Sequence, residues 1–134
     1  MDLRTLQSYF QQAGIHPKRS AGQNFLLDET VIDRMIEAAD LQSGETALEI
    51  GPGFGILTEA LLRQGANVVA VELDRQLASW LGQKFAGQPV RVLTEDILRL
   101  RRDQLFETTQ YKVIANIPYN ITSHLFRQLL SQEP

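Results

Sequence analysis

Four short runs of strand-forming residues, separated by helical patterns, constrain this chain more than any other feature. They are ETALEIG (45–51), NVVAVEL (67–73), VRVLTED (90–96) and YKVIANI (111–117). Between the first three lie ILTEALLRQG and DRQLASWLGQKFAG, the latter with Leu77, Trp80, Leu81 and Phe85 on one helical stripe. Such alternation predicts right-handed βαβ units on a parallel sheet. VVAV is apolar without alternation, which predicts a strand covered on both faces. The expected class is α/β, a doubly wound parallel sheet. In that order the fourth strand lies beside the first, and the far side of VIANI is a hydrophobic edge of the kind proteins cover. The run stops at LLSQEP, one helix later. We therefore expect the N-terminal portion of a larger domain, truncated after the fourth strand.

Upstream, Leu3, Leu6 and Phe10 fall at helical spacing in residues 2–13, with Gly14 as the stop signal. The polar, breaker-rich HPKRSAGQNFLLDE reads as loop. Asp28 is placed to cap a second helix that would bury Val31, Ile32, Met35, Ile36 and Ala39. The third gap, ILRLRRDQLFETTQ, is less regular. A last helix is expected after Thr122 or Ser123, carrying Leu125, Phe126, Leu129 and Leu130.

With 134 residues, the chain is the size of one domain. Its 43% hydrophobic and 22% charged residues are ordinary globular values that exclude a disordered chain. No cysteine is present, which excludes disulfides, thiolate ligands and a cysteine nucleophile. The histidines are His16 and His124, too few for a histidine-based zinc site, so no metal is expected. A net charge of -3 offers no global basic surface to a polyanion. The N-terminus lacks the apolar core of a signal peptide, and no apolar stretch approaches a membrane span. A soluble, cytoplasmic protein is the expectation.

The first candidate site is Glu49-Ile50-Gly51-Pro52-Gly53-Phe54-Gly55, directly after one strand and before a helix. Glycines let the chain turn sharply and let a ligand approach the backbone. A glycine turn can also be purely structural. Glu72, about 20 residues on, ends the second strand where an acid accepts from ribose hydroxyls in nucleoside-binding folds. An NAD site fits poorly. The third glycine of G-x-G-x-x-G falls at Ile56, and Pro52 removes a backbone donor. A ligand without a pyrophosphate suits the turn better, and no G-K-[ST] is present to grip phosphate. Glu95 and Asp96 end the third strand, where an acid could accept from an adenine amine. The plainer alternatives are solvated strand-end acids there and an N-cap role for Asp74.

The fourth strand ends in Asn116-Ile117-Pro118-Tyr119, beside the glycine turn by strand order. A strand stopping at a proline would explain Pro118, but not the amide and aromatic that bracket it. An exocyclic adenine amine is a poor nucleophile because its lone pair is delocalised into the ring. The Asn116 side-chain oxygen and the Ile117 carbonyl could both accept from that amine, favouring a more tetrahedral nitrogen. Pro118 fixes the turn, and Tyr119 can stack on a flipped-out base. A sulfonium methyl is a suitable electrophile, because its transfer needs in-line placement more than acid or base groups.

EIGPGFGILT, VELD, EDIL and NIPYNITS resemble the successive motifs of class I (Rossmann-like) S-adenosylmethionine-dependent methyltransferases acting on adenine. AGQNFLLD upstream is similar to the GQNFL signature of ribosomal RNA adenine N6-dimethyltransferases, most closely the KsgA type that dimethylates adjacent adenosines of small-subunit rRNA. The resemblance runs from about residue 16 to the end of the chain. It implies S-adenosyl-L-methionine as cofactor. Asn24 and Leu26 would close over it, Gly51 would touch its methionine end, and Glu72 would hold the ribose. Asp96 would take the adenine amine, Asn116 both cofactor and target base, and Tyr119 would stack on the target. Gln23 is a further candidate, and Glu49 is either a site acid or a buried, paired one. Ile117 is consistent with a pocket that accepts an already methylated amine.

The division this implies is 1–27, a helix and cofactor-covering loop, and 28–134, a partial cofactor-binding domain. The family's later strands and helical RNA-gripping domain are absent from it. Small-subunit rRNA or its precursor particle is the implied partner, met by a monomer when complete, during ribosome assembly. Lys18, Arg19, Arg99, Arg101 and Arg102 are either phosphate contacts or solvated charge. The alternatives are an Erm-type methyltransferase of large-subunit rRNA and, in another class, a non-catalytic nucleotide- or RNA-binding assembly module.

Overall fold

The computed structural model describes residues 3–14, 29–100 and 110–115. Its elements, in chain order, are α1 (Leu3–Ala13), α2 (Glu29–Ala39), β1 (Thr46–Ile50), α3 (Ile56–Arg63), β2 (Asn67–Glu72), α4 (Arg75–Lys84), β3 (Val90–Thr94) and β4 (Lys112–Ala115). The four strands form one parallel sheet in the order β3-β2-β1-β4. The doubly wound arrangement expected from the strand-helix alternation is therefore present. β4 does lie against β1, with Ile50 opposite Ala115.

Alternation along β1 divides the core in two. Ala47 joins Val68, Ala70, Leu57, Leu61 and Ile114 in a cluster under α2 and α3. Leu48 and Ile50 point the other way, to Val69, Val71 and Ile97. Residues 68–72 of β2 are buried throughout, which is why this strand shows no polar face in the sequence. Each of the first three predicted strand runs is longer than the strand it forms. The surplus residues at the carboxyl ends of these three, Gly51, Leu73, Glu95 and Asp96, lie beyond the assigned strands, at the sheet edge where such folds bind ligands.

Three expectations for the helices need comment. Val31 is 44% exposed, so it does not belong to the buried face of α2. Ile32, Met35, Ile36 and Ala39 follow the i, i+3, i+4, i+7 pattern and pack on the core, and Val31 sits at the margin of that stripe. Leu77, Leu81 and Phe85 of the α4 stripe are buried, and Trp80, half-buried, packs with Leu77 and Phe54 against Tyr9 of α1. Asp74 is the N-cap of α4, its Oδ1 accepting from Gln76 and Leu77 N–H at 2.9 and 3.1 Å. Asp28 and the last expected helix lie outside the described residues. Among those residues, no helix is long and apolar enough to cross a membrane.

Candidate active site

The glycine turn follows β1 without a break in hydrogen bonding. Gly51 N–H still donates to Val71 carbonyl at 3.0 Å, extending the β1–β2 ladder by one rung. The chain then reverses through three left-handed residues, Gly51, Gly53 and Gly55, at φ 67°, 58° and 81°. Only glycine adopts such conformations routinely. Gly55 is also the N-cap of α3. Counting G-x-G-x-x-G finds no third glycine at Ile56, yet the third glycine this turn needs stands one residue earlier. The signal was the regular alternation Gly51, Gly53, Gly55.

Glu72 is 7% exposed at the end of β2 and shares a sheet face with Glu49. Its Oε1 accepts from Gly53 N–H at 3.4 Å and its Oε2 from Asp74 N–H at 2.9 Å. The carboxyl thus spans the gap between the glycine turn and the loop after β2. Burial raises its pKa against these two N–H donors, and the Asp74 charge adds to the rise. Leu73, next in the chain, is 70% exposed. An apolar side chain standing in solvent beside a buried carboxylate offers cover for a flat ring. Sequence reading passed over Leu73 because an apolar residue at a strand end looks like core.

Asp96 lies beyond β3, its Oδ1 accepting from Leu98 N–H at 2.9 Å. Its Oδ2 is 3.9 Å from Arg99 Nε, and the Asp96 side chain remains 38% exposed. Arg99, 84% exposed, forms a surface ion pair of the kind worth about 0–1 kcal/mol. The backbone joins the two acidic loops, since Glu95 N–H donates to Glu72 carbonyl at 3.1 Å. The structure therefore gathers Gly51, Glu72 and Asp96 along one sheet edge. Asn24, Leu26, Asn116, Ile117, Pro118 and Tyr119 lie outside the described residues, as do Gln23, Lys18, Arg19, Arg101 and Arg102. Two shallow clefts of about 330 and 310 Å³ flank α4, one holding Lys84 and Phe85, the other Arg75 and Trp80. Neither includes Gly51, Glu72 or Asp96, so they do not represent this edge. No group of acidic or histidine side chains among the described residues could hold a metal ion.

Glu49 is the buried, paired acid of the two possibilities. It is 1% exposed and accepts from the hydroxyl of Thr58, which is itself fully buried. Burial pushes its carboxyl up to about 7; the Thr58 hydroxyl opposes the rise and the Glu72 charge adds to it. A pKa raised in the folded state stabilises the fold below the unfolded value and loses that stabilisation as pH climbs through the folded one. Stability should therefore fall between pH 4.5 and about 7 and level off above, with a Glu49 share of about 3 kcal/mol. Glu72, raised likewise, adds a slope of the same sign. Denaturant unfolding at a series of pH values should give a flatter profile for Glu49→Gln than for the parent. Identical profiles would mean that Glu49 does not titrate in this window.

A parallel sheet in this order, with a glycine turn after the first strand and acids after the second and third, is common to doubly wound nucleotide-binding folds, and similarity to solved methyltransferases places this one in the class I methyltransferase fold. The chain belongs to the ribosomal RNA adenine dimethylase family, whose model matches residues 15–134. It is 46% identical over 122 residues to the ribosomal RNA small subunit methyltransferase A of Synechococcus sp. strain CC9605, covering 90% of this chain and 44% of that one. Among solved structures it is similar to the 23S rRNA methyltransferase ErmE, with TM-score 0.68 and 34% identity over 78% of this chain and 42% of that one. It is also similar to a dimethyladenosine transferase from Plasmodium falciparum, with TM-score 0.66 and 30% identity over 83% of this chain and 39% of that one. Against such curated relatives the chain spans 40% to 48% of their length.

Proposed function

We propose that this chain is the cofactor-binding part of an enzyme that transfers methyl groups from S-adenosyl-L-methionine to N6 of adjacent adenosines in small-subunit rRNA. The observation that carries the reading is the buried Glu72 carboxyl bridging to Gly53 N–H at the sheet edge. A carboxylate there can accept from both hydroxyls of a ribose, and Leu73 can cover a purine face. Asp96 retains an exposed oxygen for the purine amine. Pro52 presents no N–H, and the Gly51, Gly53 and Gly55 N–H groups are taken by Val71, Glu72 and Pro52, so the turn suits a nucleoside whose 5′ substituent is an amino acid better than a diphosphate. When bound, the cofactor supplies an electrophilic methyl on a sulfonium centre. Asn24 and Leu26 cover the site in this reading, and Gly51 lies against the methionine end.

The remaining chemistry belongs to Asn116-Ile117-Pro118-Tyr119, which follows Ala115 of β4 directly. Asn116 and the Ile117 carbonyl accept from the target amine, Pro118 aims that carbonyl, and Tyr119 stacks on the base. Residues 1–27 serve as helix and cover, 28–134 as the partial catalytic domain, and the complete enzyme works as a monomer in the cytoplasm during ribosome assembly. Curated relatives named for the small subunit support this choice of RNA. The similarity to ErmE supports a second reading in which a large-subunit adenosine is the target.

Calorimetric titration with S-adenosylmethionine, using NAD as the control, tests the cofactor. Glu72→Ala is expected to weaken its binding by about 1.5–3 kcal/mol, the usual worth of hydrogen bonds to a charged group. Unchanged affinity would remove Glu72 from the site, and a preference for NAD would overturn the cofactor assignment. Supplying small- and large-subunit RNA as separate substrates to the complete enzyme decides the target. Methylation of the large-subunit RNA alone would replace the first reading by the second.

A further inference from the structure

Lys84, at the far end of α4, is tied to Glu72 through two peptide groups of the glycine turn. Its Nζ donates to Phe54 carbonyl at 2.8 Å. The same peptide group presents Gly55 N–H, which donates to Pro52 carbonyl at 2.9 Å. That second peptide group presents Gly53 N–H, which faces Glu72 Oε1 at 3.4 Å. The series therefore runs ammonium, peptide, peptide, carboxylate, with every link donating in the same sense. Such chains polarise one another, and a cation at the donor end strengthens each member.

The ammonium is held firmly in place. It pairs with Glu59 Oε1 of α3 at 2.8 Å, and the Lys84 side chain is 17% exposed. It sits 4.8 Å from the centre of the Tyr9 ring and 5.0 Å from that of Trp80, within range for cation–π attraction. Phe54, 2% exposed, is packed edge-on against Phe10 and Trp80 at 5.0 and 5.2 Å. The turn residue between two left-handed glycines is thus gripped by its ring through α1 and α4, and by its carbonyl through Lys84. Glycine-rich backbone has many conformations to lose on ordering, so an external grip of this kind decides where its N–H groups point.

We infer that Lys84 is a positioning residue for the cofactor site, holding the Pro52–Gly55 turn so that Gly53 N–H and the Glu72 carboxyl keep their relative placement. The inference rests on the proposed S-adenosylmethionine site. In the complete enzyme, Lys84→Met keeps the apolar stem among the aromatic rings and removes only the charge and donor. It is expected to raise KM for S-adenosylmethionine about tenfold, with kcat and KM for RNA unchanged, and to speed hydrogen exchange at the Gly53 and Gly55 amides. Lys84→Arg restores a donor and should recover much of the loss. Glu59→Gln leaves the Phe54 contact intact and should stay near the parent.

Parent-like cofactor KM and glycine exchange in Lys84→Met, with binding lost in Glu72→Ala, would overturn the inference and leave the cofactor reading standing. Equal losses in Glu59→Gln and Lys84→Met would also overturn it, assigning Lys84 to the α3–α4 ion pair alone. A parent enzyme that binds no S-adenosylmethionine would instead remove the site itself. Should Lys84→Met fail to fold, Lys84→Gln, which also removes the charge, takes its place with the same two readouts and the same expected and overturning results.

Discussion

Methyl transfer by the complete enzyme should fall by about two to three orders of magnitude when Asn116 is replaced by alanine, the scale of losing one preorganised electrostatic contact in an active site. The reason lies in the nucleophile. An adenine amine becomes reactive only when its lone pair leaves conjugation with the ring, and acceptors placed on its two hydrogens favour that geometry. In the proposed site, alanine would retain the Ile117 carbonyl and remove the other acceptor, so a defect in the chemical step is expected. Single-turnover rates on small-subunit particles at saturating cofactor measure it, and cofactor affinity should fall as well, because the same residue is proposed to touch the cofactor. Tyr119→Ala is expected to cost about 1–3 kcal/mol, the usual worth of stacking a base on an aromatic ring. Normal dimethylation by both variants would remove this tetrapeptide from the base site.

Gly55→Ala should destabilise the fold strongly. A Cβ at Gly55 would lie 2.6 and 2.8 Å from two Phe85 ring carbons and 3.0 Å from a Leu81 methyl, at a backbone φ of +81°. The left-handed conformation costs a side-chain-bearing residue about 1–2 kcal/mol, and overpacking adds about 1–3 kcal/mol. Phe85 and Leu81 are both buried, so the ring and the methyl must shift to admit the added Cβ. A loss of about 3 kcal/mol is expected, seen as a fall in Tm of about 10 °C. Gly82→Ala is the matched control. Gly82 lies within α4 with nothing near its missing Cβ, and alanine there should stabilise the helix by about 0.5–1 kcal/mol. If the two substitutions were equally tolerated, the turn would not be packed as described.

Much of the fold was legible because parallel strands buried on both faces leave a local trace. VVAV reads as a covered strand without help from any neighbour, and Asp74 reads as a cap because capping depends on the next three residues. Glu72 and Asp96 were legible as candidates for the same reason, since a strand's carboxyl end is a position along the chain. Val31 was misplaced where a stripe on a helix is ambiguous at its margins. There, the neighbouring element decides which margin is covered, and spacing alone does not identify that element.

By itself the sequence determined the strand and helix order, the glycine turn, the acids at the strand ends and the family resemblance carried by its motifs. All of these are written in residues close together in the chain. Only the tertiary structure decided that Glu49 is sealed against Thr58, that Gly55 must lack a side chain because of Phe85, and that Lys84 reaches Glu72 through the turn. Glu49 to Thr58 spans nine positions, Phe54 to Lys84 thirty, and Gly53 to Glu72 nineteen. Contacts at such separations depend on how the βαβ units fold back on the sheet, and the charge and packing at the site follow from that closure.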